Sequence, residues 1–270
     1  MSTDAHDAVE PFVAKWLARE PEMQFALNFC APARRPTYAA WGALLYALRE
    51  ARFELREPTV ADAKRAWWAD ELRAIGAGQP RHPLSRQLVG RPAPWPLLAR
   101  ELAIPADDAM RPADAGRSLA LLEPLAHAVL MVESSLFDAT HDAAAIAVAE
   151  SGARTLDPAA VRSLSVHWRL FQLPRGLADD DLAGVPMDLL ARHGLTRADL
   201  AGALPTALVR DWAAALRAAQ AVGLADATPF RRAQARFDAL RLSRLSRRGD
   251  DFAPGAAPRV FWNAWRAARG

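Results

Sequence analysis

Apolar residues recur at helical spacing along most of the chain. Trp41, Leu44, Leu45, Leu48, Ala51 and Leu55 share one stripe of period 3.6, which predicts a helix over 37–57. Pro58 ends it, and Thr59 is expected to cap the next helix with Asp62 three residues on. That helix turns Ala63, Ala66, Trp67 and Leu72 inward and breaks at Gly76 and Gly78. A short helix over 82–88 and one holding Leu97, Leu98 and Leu102 follow, separated by a proline-rich piece over 91–96. Upstream, Phe12, Val13, Trp16 and Leu17 mark a short amphipathic helix that stops near Pro21.

Downstream, 105–116 reads as loop. A stripe through Leu122, Leu125, Val129, Leu136, Ala143 and Ala147 predicts a helix over 117–150, long enough to expect a kink near Glu133, Ser134 and Ser135. Asp157 and Pro158 open another helix as N-cap and first residue, ending near 173–174. A short helix over 187–193 closes at Gly194, and Thr196 caps the next. Core stripes then run through Trp212 and Leu216 and through Phe230, Ala233 and Phe237, before a terminal helix with Phe261, Trp262 and Trp265. No stretch alternates β-branched residues at period two, and no Asn-Gly or Asp-Gly turn joins strands. The pattern predicts an all-α protein: an N-terminal segment with a short helix over 1–24, then one helical domain over 25–270.

Composition changes this picture little. The 270 residues are half hydrophobic and a quarter charged, a globular composition. Net charge is +3, but ten arginines stand against three aspartates from Pro229 onward. That basic terminus is expected to be a solvated face, with a membrane surface or a protein partner as the alternative. Nucleic acid is disfavoured, because the arginines over 231–248 spread around their helix. Cys30 is the single cysteine, which suits a reducing cytoplasm and excludes an internal disulfide. The first residues lack the pattern of a secretory signal, and no charge-free window spans a bilayer, so a cytoplasmic or membrane-peripheral protein is expected. The histidines show no zinc-ligand spacing, and no P-loop, GxSxG or GxGxxG is present.

The residues with the most specific look are Trp67, Trp68, Asp70, Glu71 and Leu72, the glycine break, and then His82 and Pro83. With Tyr46 to Glu50, with Phe137 to Thr140, with the Val185 to Leu195 segment and with Trp262 to Arg266, they stand in the order found in the squalene/phytoene synthase family, which the chain resembles over about 25–268. The resemblance implies an isoprenoid-synthase-type helical bundle around a central cavity. It also implies head-to-head condensation of prenyl diphosphates, with Mg²⁺ held by two DxxxD motifs on facing helices. Trp67, Trp68, Glu71, His82 and Pro83 would then be structural. The chemistry behind the motif is general: a diphosphate leaving group needs a metal held by carboxylates, and i, i+4 spacing puts two of them on one helical face.

The sequence departs from the family at both motifs. At the first, Glu50 and Glu54 keep the spacing, opposite the Leu48 stripe, but Arg49, Arg52 and Arg56 are expected to compete with any metal. At the second, the segment from His167 to Arg175 has no carboxylate, and Asp179, Asp180 and Asp181 are consecutive acids of a loop. One DxxxD remains, Asp138 and Asp142, away from either motif position. The expectation is therefore a catalytically degenerate relative, a pseudoenzyme binding an isoprenoid, a prenyl diphosphate or a protein partner. The alternatives are an active Mg²⁺-dependent prenyltransferase using Glu50 and Glu54, and a helical scaffold or membrane-associated assembly factor.

Overall fold

The computed structural model describes residues 8–55, 57–104, 111–137, 156–173, 184–196, 199, 204–224 and 226–269. Among them the chain is all helical, without a strand. The helices are α1 (Glu10–Arg19), α2 (Met23–Asn28), α3 (Arg35–Phe53), α4 (Pro58–Gly76), α5 (Pro83–Arg86), α6 (Trp95–Ala103), α7 (Ala115–Ala120), α8 (Glu123–Phe137), α9 (Pro158–Gln172), α10 (Met187–Arg192), α11 (Thr206–Ala219), α12 (Pro229–Arg248) and α13 (Ala257–Arg269). Prolines sit in the first turn of α1, α3, α4, α5, α6, α9 and α12, where a missing N–H costs nothing.

The larger apolar core is built on Trp16 of α1, Trp41 and Leu44 of α3, Leu72 of α4, Trp95 of α6, and Phe230 and Phe237 of α12. A second core gathers Leu170 of α9, Leu189 of α10, Trp212 and Leu216 of α11, and Leu242 of α12. Helices α9 and α12 contribute to both, so the polar side chains that face between them lie between two apolar masses. The N-terminal segment is part of the core. Trp16 lies against α3 at Gly42, where an added Cβ would stand 2.6 Å from its ring atom Cζ2.

Several element boundaries differ from the sequence expectation. Helix α3 starts at Arg35, after a 3₁₀ turn at Pro32–Arg34, and stops at Phe53. Helix α4 begins at Pro58 with Glu57 as its N-cap, so Thr59 lies inside the first turn and caps nothing. Of the long helix expected over 117–150, residues 138–150 lie outside the described ones, and the rest divides into α7 and α8 with the break at Leu121 and Leu122. Pro124 sets that break: its ring occupies the first turn of a new helix and cannot continue an old one. Helix α8 then runs unbroken through Glu133, Ser134 and Ser135. By contrast, α9 starts where expected, with Asp157 accepting from the N–H of Ala159.

A candidate functional site: a charged interior

The family-like stretch on α4 and α5 is a turn tied by one buried carboxylate. Glu71 is fully buried and accepts from the main-chain N–H groups of Arg81 and His82, both at 2.8 Å, and from Arg81 Nε at 3.3 Å. Burial works against its charge, but those donors outweigh it and hold Glu71 below the ordinary value of 4.5. His82 is the N-cap of α5: its Nδ1 accepts from the N–H of Leu84 at 3.2 Å, and Pro83 follows as first residue. The imidazole packs edge-on against Phe12 and Trp68, with ring centroids 4.5 and 4.9 Å away. Burial lowers the His82 pKa, which keeps it in the neutral form that capping requires. Trp68 is buried, whereas Trp67 is 40% exposed beneath the Arg81 guanidinium.

Glu50 and Glu54 do not form one carboxylate face. Glu50 is clasped by Lys15 Nζ at 2.9 Å and Lys64 Nζ at 2.6 Å, the only lysines of the chain. Burial is the largest influence on its pKa, yet the two ammonium groups win and lower it. Glu54 lies past the last turn of α3 as its C-cap and is buried, not on a polar face. It accepts from Arg49 Nε at 3.2 Å. The spacing makes no metal site here because basic side chains already hold both residues, Lys15 and Lys64 on Glu50 and Arg49 on Glu54. The other candidate pair, Asp138 and Asp142, lies outside the described residues, as do Asp179, Asp180 and Asp181. Among the described residues no group of three or more His, Cys, Asp or Glu side chains could hold a metal ion.

What the interior holds instead is a network of ion pairs. Arg49 Nη1 donates to Glu20 at 2.8 Å and lies 3.1 Å from His167 Nε2, while its guanidinium covers the Phe171 ring at 4.3 Å. Arginine has no lone pair to offer, so His167 Nε2 is an acceptor and the imidazole proton sits on Nδ1, 3.0 Å from Asp238. Burial pushes His167 well below its ordinary 6.5 and pushes Asp238 up to about 7, against the pull of Arg241, Arg231 and Arg49 on the carboxylate. Gln234 Nε2 adds a contact to His167 Nε2 at 3.3 Å. Farther along α12, Arg231 pairs with Glu133 of α8, which also accepts from Trp41 Nε1 at 3.0 Å and Thr228 Oγ1 at 2.7 Å. Arg241 joins the last long helix to the N-terminal segment through Glu22 at 2.7 Å.

Trp16, Glu20, Tyr46, Arg49, His167 and Trp168 line a cleft beside this network. Its side chains leave room for about one water molecule. The arrangement fixes the His167 tautomer through Asp238, as in a general-base pair, but Arg49 occupies the nitrogen that would take a proton. The basic terminus is likewise not simply a solvated face, since Arg231 and Arg241 are 1% and 3% exposed inside the network. Comparison with known proteins finds no match among family models, curated proteins or solved structures.

Proposed function

We propose that the chain is a catalytically silent bundle of the squalene/phytoene synthase type that works by binding a partner at its surface. The observation that carries this reading is Arg49. In a bundle of that type the helix carrying Arg49 would present metal-bound carboxylates, and here Arg49 neutralises Glu20 and Glu54 instead. Mg²⁺ would have to displace a guanidinium buried at 4% exposure, and the cleft beside it, which Trp168 lines, has room for about one water molecule and not for a prenyl chain. This favours a surface partner over an isoprenoid held inside. The test is incubation of the purified protein with farnesyl or geranylgeranyl diphosphate and Mg²⁺, following diphosphate release. Release at the protein-free background is expected; turnover that Glu50→Gln abolishes would overturn the reading.

A further inference from the structure

The outward face of α13 has the opposite composition to its inward face. Inward lie Val260, Ala264 and Ala267, small residues that bring the helix close to α2 and α12. Phe261 lies on the flank, its ring 5.4 Å from that of Phe29 and 6.1 Å from that of Phe25, and outward lie Trp262 at 54% exposure and the exposed Arg259, Arg266 and Arg269. The Trp262 and Trp265 indoles stack with centroids 4.7 Å apart, and the Arg269 guanidinium lies 4.2 Å over Trp265. Burying small residues while presenting tryptophan and arginine to solvent is not what packing alone selects.

Among the described residues, the exposed arginines of α13 have no acidic partner. Neither α13 nor α2 carries a carboxylate, and the single one on α12, Asp238, is buried against His167. Arg236, Arg259, Arg266 and Arg269 make no ion pair among the described residues. After burial, the nearness of Arg266 and Arg232 is what lowers the Arg236 pKa, so positive charge is crowded where the two helices meet. A surface that complements this face offers a layer of negative charge with an apolar layer directly beneath. A phospholipid leaflet has that order: phosphates at the level of the arginines, and the acyl boundary at the level of the tryptophans. No helix of the described residues is long and apolar enough to cross a membrane, so the contact would be interfacial.

We infer that α13 docks the protein on an anionic phospholipid surface, through Trp262 and Trp265 at the acyl boundary and Arg259, Arg266 and Arg269 at the phosphates. The test is co-sedimentation of the full chain with vesicles of phosphatidylcholine alone and of phosphatidylcholine mixed with phosphatidylglycerol. Binding is expected only to the mixed vesicles and is expected to fall as salt is raised. Arg266→Gln should lower the partition coefficient about fivefold, and Trp262→Ala about tenfold. Both side chains are exposed, and an unchanged helical circular dichroism signal identifies variants that remain folded. No binding to the mixed vesicles would overturn the proposal, as would binding that Trp262→Ala leaves unchanged. Competition by a single-stranded oligonucleotide that binds more tightly than the vesicles would overturn it in favour of a nucleic-acid face. Diphosphate release and vesicle binding are separate readouts, so either proposal can fail alone.

Discussion

Replacing Arg49 by methionine keeps a flexible, unbranched side chain and removes the guanidinium with its charge and its donors. Glu20 and Glu54, 2% and 8% exposed, are then left in the interior without the cation that faces both. Breaking a buried pair from one side costs about 3–5 kcal/mol, because the desolvation of the remaining charge is no longer offset. Loss of the contact with the Phe171 ring adds about 1 kcal/mol. Against a total stability of about 5–15 kcal/mol, that is a third or more of the whole. For a chain of this size it corresponds to a melting temperature lower by about 10 °C. Thermal and urea unfolding followed by circular dichroism measure it. The triple variant Arg49→Met, Glu20→Gln, Glu54→Gln removes both carboxylate charges as well and should recover most of the loss. A single variant within about 1 kcal/mol of the parent at neutral pH, or a triple variant no better than the single, would refute the account of the interior as an ion-pair clasp.

The same physics gives three further expectations. Gly42→Ala gains about 1 kcal/mol of helix propensity, but its Cβ would overlap the Trp16 ring. A net loss of about 1–3 kcal/mol is expected in urea unfolding, smaller when Trp16→Leu is present. Glu71→Gln should cost about 2 kcal/mol at neutral pH. Because the Glu71 pKa is lowered on folding, that contribution is present above the ordinary 4.5 and is lost as pH falls through the folded value, so parent and variant should converge in acid. For the buried dyad, folding raises Asp238 to about 7 and depresses His167. Between about pH 4 and 6.5 the folded pair keeps its proton on the aspartate and the unfolded pair keeps one on the histidine, so the dyad adds little pH dependence there. In His167→Asn only the Asp238 effect remains, and stability should fall as pH rises from about 4 to about 7; a flat profile in that variant would contradict the assignment.

The helices were legible because their apolar stripes are regular and their prolines sit at first turns. The network was harder to see, because a buried charge has the same letter as a solvated one. A signal did exist in α12. Arg231, Gln234, Asp238 and Arg241 recur at spacings of three, four and three, a stripe as regular as the apolar one beside it. A polar residue that keeps helical register next to Phe230, Ala233 and Phe237 points inward with them. Glu133 is a weaker case, closing the apolar run from Ala128 to Val132. What spacing could not tell was where α3 stops. Glu54 is the C-cap and turns to Arg49, while Glu50, still inside the helix, is held by Lys15 and Lys64. Nor could hydropathy show which way α13 turns its tryptophans. Small residues compete for the inner face when two helices approach closely, and in α13 they occupy it.

The pair of Glu22 with Arg241 has a consequence for how the protein is made. The two residues are separated by 219 positions, and Glu20 beside them depends on Arg49 within the same interior. A ribosome adding about 5–20 residues each second reaches Arg241 roughly 10–40 s after Glu22 has emerged. For that interval the first helices hold an acidic side chain whose partner does not yet exist, and water is its better environment. The early helices are thereby discouraged from closing over their own apolar faces before α12 arrives. A circular permutant that begins near α12 would present the arginine first and remove that delay, changing the order of collapse without changing a single contact of the finished fold.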